Sequence, residues 1–240
     1  MSTGWNVRTK RSLLSVQRAD KMNSRNNNSS AVTSALYDYD RAARDKSRGV
    51  IIGIDEAGRG PLAGPVMAAA VILDPDFIIP GINDSKKLSA AARERCYDRI
   101  VAEAIAYAVG SASVEEIDRL NILQATFLAM QRALALISHS WVMALIDGNQ
   151  LLPVIPHERQ RTVVRGDAQS ASIAAASIIA KVTRDRLMKE YHERFPMYDF
   201  SGNKGYGTAL HRARIGEHGL CAIHRRSFCE GITAQMRLAL

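Results

Sequence analysis

The chain has 240 residues, 47% of them hydrophobic, which suffices for the core of one large domain with or without appendages. No run approaches the ~18 apolar residues needed to cross a bilayer, and the N-terminus lacks the continuous apolar stretch of a secretory signal, so a cytoplasmic protein with no membrane partner is expected; a monomer is expected as well. The formal net charge is +8, but residues 1–48 carry +6 of it (ten Lys/Arg against four Asp/Glu), so the basic total alone does not argue for nucleic acid.

In chain order, residues 1–35 read as a basic, disordered extension. Its run Asn23-Ser24-Arg25-Asn26-Asn27-Asn28-Ser29-Ser30 has nothing to bury against the entropy of ordering. Residues 1–22 are rich in Arg, Lys and Ser with one acid, Asp20. They read first as a solvated tail, with an organellar transit peptide or a phosphate-holding arm as alternatives. A short charged helix follows over 37–46, ending at Gly49. Val50-Ile51-Ile52-Gly53-Ile54 is a strand, and 67–73 a second. Ser89 caps a helix running to about Glu103, and 105–109 is a third strand. Ile122, Ala125, Leu128, Ala129, Ala133 and Leu136 are spaced for an amphipathic helix over 121–137. Strands at 141–146 and 162–164 precede a long helix over 170–191, whose Ala, Ser and Ile side chains permit close packing on a sheet. The order predicts an α/β fold with a sheet of mixed direction.

Three apolar runs lead at their C-terminal ends into acids: Asp55-Glu56, Asp147-Gly148 and Gly166-Asp167. In open α/β sheets ligands bind at that edge, and carboxylates gathered there stay ionised only with a neutralising cation. An all-oxygen set selects Mg²⁺ or Mn²⁺ over zinc. Taken singly, Asp-Gly after a strand is an ordinary turn, and Asp167 could cap the following helix together with Ser170. Between the first two strands lies Gly58-Arg59-Gly60-Pro61-Leu62-Ala63-Gly64-Pro65. A dinucleotide loop, and with it a dehydrogenase, would need a helix opening at those glycines. What remains is a tight connection beside an acidic pair, where the glycines either shape the turn or admit a sugar or phosphate to the backbone. Cys96, Cys221 and Cys229 have no CxxC spacing and read as small buried hydrophobes in a reducing compartment.

The segment from Asp55 to Val66 resembles the opening signature of ribonuclease HII, the bacterial type 2 ribonuclease H. In order follow Asp84-Ser85-Lys86-Lys87-Leu88, Asp147-Gly148-Asn149, Gly166-Asp167-Ala168, the stretch from Ala174 to Val182, Lys204-Gly205-Tyr206-Gly207-Thr208 with His211, and His224-Arg225-Arg226-Ser227-Phe228. The resemblance implies a catalytic domain over 36–231, with an RNase H-like mixed sheet flanked by helices, a small helical C-terminal region, and a tail over 232–240. It further implies an endonuclease that cuts the RNA strand of RNA/DNA hybrids and cuts 5′ of single ribonucleotides in duplex DNA. The products would carry 5′-phosphates, and the activity would serve ribonucleotide removal in replication and repair. Asp55, Glu56, Asp147 and Asp167 would hold two Mg²⁺ or Mn²⁺ ions. Gly58, Arg59 and Gly60 would read the 2′-hydroxyl, and Tyr206 would stack on the next sugar. Lys86, Lys87 and Lys181 are candidates for phosphate contacts, although a solvated charge is the default explanation for each. His211 and His224 are read as structural or phosphate-contacting side chains, since no His pair has ligand spacing. The C-terminal residues carry no recognisable clamp-binding peptide. A non-catalytic binder of the same fold is disfavoured because all four acids are present.

Overall fold

The computed structural model describes residues 26–44 and 49–238. Five strands form one sheet in the order β3-β2-β1-β4-β5. They are β1 (Ile51–Ala57), β2 (Val66–Ile72), β3 (Ala106–Ala112), β4 (Met143–Asp147) and β5 (Gln160–Val163). β1, β2 and β3 are a connected antiparallel meander, and β4 and β5 add parallel to the free edge of β1. The expected mixed α/β sheet is therefore present.

Helices cover both faces, and glycine decides how closely. The long helix α5 (Ala171–Arg194) lies against β1 and β2. A Cβ on Gly53 would sit 2.1 Å from the Ser172 carbonyl carbon, so only glycine in β1 lets the first turn of α5 approach. Ala171 through Ala180 are all buried, as the run of small residues predicts. On the other face α4 (Ile122–Ala135) crosses β2 and β3, and a Cβ on Gly110 would strike the Ala129 carbonyl oxygen at 2.2 Å. Ile52 and Ile54 of β1 point into that second layer with Ala125, Ala129 and Ile146. Helix α2 (Ala90–Glu103), capped by Ser89 as expected, packs on α5. Helix α3 (Val114–Leu120), absent from the sequence reading, opens with a reciprocal cap between Ser113 and Glu116. The short α6 (Phe200–Asn203), α7 (Ala209–His218) and α8 (Arg226–Leu238) enclose a separate apolar cluster of Met188, Tyr198, Phe200, Ile215 and Cys229.

Two boundaries are corrected. Helix α1 spans Asn26–Ala43, so the part of the supposed extension from Asn26 onward is helical. Thr33, Leu36, Tyr37, Asp40 and Ala43 are buried at helical spacing, and Thr33 Oγ1 donates to the Ile82 carbonyl at 3.2 Å. The stripe contains two polar residues, which hid it from a hydrophobic pattern. Residues 1–25 lie outside the described residues. At the other end α8 runs through position 232 without a break, so no separate tail begins there.

Candidate active site

Neighbouring strands deliver the first three acids. Parallel pairing aligns Ile54 of β1 with Ile146 of β4, so the next residues, Asp55 and Asp147, stand side by side just past the last pair of that ladder. Glu56 follows Asp55, and its amide donates to Asp55 Oδ1 at 2.7 Å. The fourth acid is not on a strand. Beyond β5 the chain turns through Arg165 in the left-handed region (φ 55°) into a single turn, Gly166–Ala168, that carries Asp167. The Gly166 amide donates to Asp147 Oδ1 at 2.6 Å, which fixes that turn to the end of β4. Asp167 does not cap α5; Ser170 does, accepting from the Ile173 amide at 3.2 Å.

The carboxylates feel one another. Burial, then Glu56 and Asp147, raise the Asp55 carboxyl well above the usual range, against hydrogen bonds from the Ser177 hydroxyl and the Glu56 amide. Glu56 is raised by burial and by Asp147, opposed by Arg59, whose Nη1 stands 3.5 Å from Glu56 Oε1. Asp167 is raised by burial, Asp84 and Asp147, opposed by Lys86, whose Nζ is 3.4 Å from Asp167 Oδ2. Among the described residues no three acidic, His or Cys side chains converge into one coordination shell. The donor chemistry nevertheless fits hard divalent cations: only oxygens, mutual repulsion that a cation would relieve, and two exposed side-chain cations, Arg59 and Lys86, already drawn to the rim.

The other candidate residues divide. Gly60 and Tyr206 come together, since a Cβ on Gly60 would lie 3.8 Å from Tyr206 Cε1, and Tyr206 is 44% exposed between two glycines. Lys86 joins the acids. Lys87 instead turns to Asp84 at 3.9 Å. Lys181 pairs one turn along α5 with Asp185 at 2.7 Å, not with any of the four carboxylates.

Sequence reading gave no role to two buried arginines that build the glycine loop. Arg184 on α5 donates to the carbonyls of Pro65, Lys204 and Ala63 at 3.0–3.1 Å. Arg225 donates through Nε to Gly64 at 2.9 Å, through Nη1 to Arg59 at 2.8 Å and through Nη2 to Gly58 at 2.5 Å. Burial pushes the guanidinium of Arg184 down to about 10 and that of Arg225 to about 9. Six carbonyl dipoles solvate the two cations where a carboxylate would be the usual partner. The peptide bonds are trans, and in a trans unit N–H opposes C=O. With the carbonyls of Gly58 and Arg59 turned into Arg225, the amides of Arg59 and Gly60 point away from it. The sequence offered no signal for either: Arg184 stands beside Lys181, Asp185 and Arg186, and Arg225 beside Arg226, where a solvated charge is the default reading.

Comparison with known proteins supplies the family. The ribonuclease HII family model matches residues 52–231, which include every candidate residue. The chain belongs to the ribonuclease HII family. It is thus a hydrolase of the ribonuclease H type, acting on RNA paired with DNA. Ribonuclease HII 1 of Methylibium petroleiphilum is 58% identical over 187 residues, 78% of this chain and 93% of that one. Ribonuclease HII of Burkholderia mallei is 59% identical over 179 residues, 75% of this chain and 83% of the relative. Among solved structures, the ribonuclease H2 of Pyrococcus horikoshii superposes with a TM-score of 0.66 at 25% identity, covering 78% of this chain and 99% of that one. Bst-RNase HIII, solved in complex with Mn²⁺, shares the fold at 21% identity and a TM-score of 0.66, over 82% of this chain and 73% of its own.

Proposed function

We propose that this ribonuclease HII cuts on the 5′ side of ribonucleotides, including a single one embedded in duplex DNA, with two Mg²⁺ or Mn²⁺ ions at Asp55, Glu56, Asp147 and Asp167. The observation that carries the reading is the orientation of the glycine loop. Arg225 gathers the carbonyls of Gly58 and Arg59, so the neighbouring amides are free to meet a 2′-hydroxyl, the group that separates RNA from DNA. Gly60 has no Cβ to hold the sugar off, and the Tyr206 ring beside it offers a flat apolar face for the next sugar. Glu56 and Arg59 join this recognition loop to the acidic centre within four residues. Divalent cations held there would activate the attacking water and stabilise the leaving 3′ oxygen. The protein's part is to orient the carboxylates: Gly166 fixes Asp147, the Ser177 hydroxyl and Glu56 amide fix Asp55, and Lys86 stands by Asp167 to meet a phosphate oxygen.

The test uses end-labelled duplexes that are all DNA, all DNA but for one ribonucleotide, or RNA/DNA hybrid, with Mg²⁺, Mn²⁺ or EDTA. Cleavage is expected at the 5′ side of the single ribonucleotide and along the hybrid, lost in EDTA. All-DNA duplex should be cut at least ~10⁴-fold more slowly, because it leaves buried polar groups unpaired. Cleavage of hybrid alone, with the single ribonucleotide untouched, would remove the reading of the glycine loop.

A further inference from the structure

The loop that carries Tyr206 is anchored by a chain of hydrogen bonds in which every proton has only one place to be. The Tyr206 carbonyl accepts from His211 Nδ1 at 2.9 Å, His211 Nε2 faces His224 Nε2 at 3.1 Å, and the Cys221 amide donates to His224 Nδ1 at 2.9 Å. An amide N–H can only donate, so His224 Nδ1 carries no proton and its neutral ring is protonated at Nε2. That proton points at His211 Nε2, which must therefore be bare. The His211 proton then sits on Nδ1, opposite a carbonyl that can only accept. The Cys221 thiol, 3.1 Å from His224 Nδ1, is a second donor to the same bare nitrogen.

An added proton would put two N–H groups face to face at the central link. The surroundings oppose it. Both rings are buried between the aromatic faces and edges of Tyr198 and Phe200. Burial holds His211 below its ordinary range, with Arg212 acting in the same direction, and burial together with His211 holds His224 down to about 4. The same unit reaches the glycine loop: His224 forms an isolated bridge with Ala63, the Gly64 amide donates to the Ile223 carbonyl at 2.8 Å, and the Leu62 amide donates to that of Gly205 at 2.8 Å.

We infer that His211 and His224 are positioning residues, a neutral pair of fixed opposite tautomers that sets Tyr206 against Gly60 and so tunes recognition of the sugar next to the scissile bond. Neither touches the four carboxylates, and His211 acts on the site through the Tyr206 carbonyl. The functional half of the inference rests on the reading of Tyr206 proposed above; the tautomer half does not.

Long-range ¹H–¹⁵N spectra of the full chain labelled at histidine nitrogens, at pH 7.5, read the tautomers directly. His211 should be protonated at Nδ1 and His224 at Nε2. Any other tautomer, or a charged ring, overturns the relay. Kinetics on the single-ribonucleotide duplex then compare wild type, His211→Phe, His211→Asn, Tyr206→Ala and the double variant His211→Phe/Tyr206→Ala. His211→Phe should raise KM about tenfold, the scale of one lost hydrogen bond, with kcat and metal affinity nearly kept. His211→Asn, which retains a donor near Nδ1, should recover most of the loss. In the Tyr206→Ala background His211→Phe should add nothing. Multiplicative losses overturn the positioning role. A Tyr206→Ala variant as active as wild type overturns the reading of Tyr206 itself, and leaves the spectra to decide the relay separately.

Discussion

At the end of β4 one carboxylate oxygen of Asp147 is committed to the Gly166 amide, and the side chain as a whole raises Asp55, Glu56 and Asp167 by its charge. Asp147→Asn keeps an oxygen for Gly166 and removes that repulsion. The variant should melt in EDTA at or above the wild-type temperature while kcat/KM falls at least ~100-fold, or at least about 2.7 kcal/mol of transition-state stabilisation. Turnover near wild type would show that Asp147 serves only the turn. Two glycines of one motif separate in the same way. Gly58 has φ +94°, and a Cβ there would lie 2.0 Å from Arg184 Nε, so Gly58→Ala should destabilise the protein. At Gly60 a Cβ meets only the edge of Tyr206 at ordinary contact distance. Gly60→Ala should therefore fold, bind metal as wild type by calorimetry, and cleave the single-ribonucleotide duplex more slowly because its methyl opposes the sugar. Equal rates would mean that no sugar approaches there. Acids at strand ends and the glycine segment could be seen in the sequence. Which glycine serves the fold and which faces outward could not, because that depends on Arg184, distant in sequence.

Helix α1 lies outside the family match, yet it is tied to the turn that carries Asp167. Asp40 accepts from Ser170 Oγ at 2.5 Å, from the Ser172 amide at 2.8 Å and from Ser172 Oγ at 2.7 Å, and the Ser170 amide donates to the Gly166 carbonyl at 2.8 Å. The start of α5 is thus capped twice, by its own Ser170 and by an acid from another helix. Burial outweighs those donors and raises Asp40 from 3.8 to about 6. A carboxyl raised on folding binds its proton more tightly in the native state. Its contribution is fully present below pH 3.8 and lost as pH rises through 6. The stability of wild type relative to Asp40→Asn should therefore fall between pH 4 and pH 7, by up to about 3 kcal/mol at 1.36 kcal/mol per pKa unit. Urea titrations of both proteins at several pH values read this difference, in which unperturbed groups elsewhere cancel. A gap independent of pH would mean that Asp40 stays ionised throughout. Apolar periodicity located α4, while the Ser89 cap marked α2 and the run of small residues marked α5. Periodicity missed most of α1, where Thr33 and Asp40 occupy buried positions that only tertiary partners satisfy. The Ser113/Glu116 cap of α3 was readable as a motif, but seven residues are too few for periodicity to register.

Taken whole, the molecule presents acids at the centre of a site that must receive a polyanion. Beyond position 48 the chain is nearly balanced, with twenty-two Lys/Arg against twenty Asp/Glu, and Arg184 and Arg225 spend their donors on backbone carbonyls within the protein. The concentrated positive charge is at the N-terminus, where residues 1–25 hold six Lys/Arg and one acid. Phosphate contacts made by these side chains would release counterions, so affinity drawn from them must weaken steeply with salt, whereas recognition through Gly60 and Tyr206 must not. Deleting residues 1–25 should weaken duplex binding mainly at low salt and flatten the plot of log affinity against log salt, by as much as about 5 in slope if all six side chains engage duplex phosphates. Since the deletion leaves α1, Asp40 and the four carboxylates in place, the cleavage position and the preference for the ribonucleotide should be unchanged. Binding isotherms from 50 to 300 mM salt, with product mapping at each end of the range, distinguish the two contributions. An unaltered slope would exclude the N-terminal basic residues from substrate binding. A shifted cleavage position would show instead that they help to set the register of the duplex on the site.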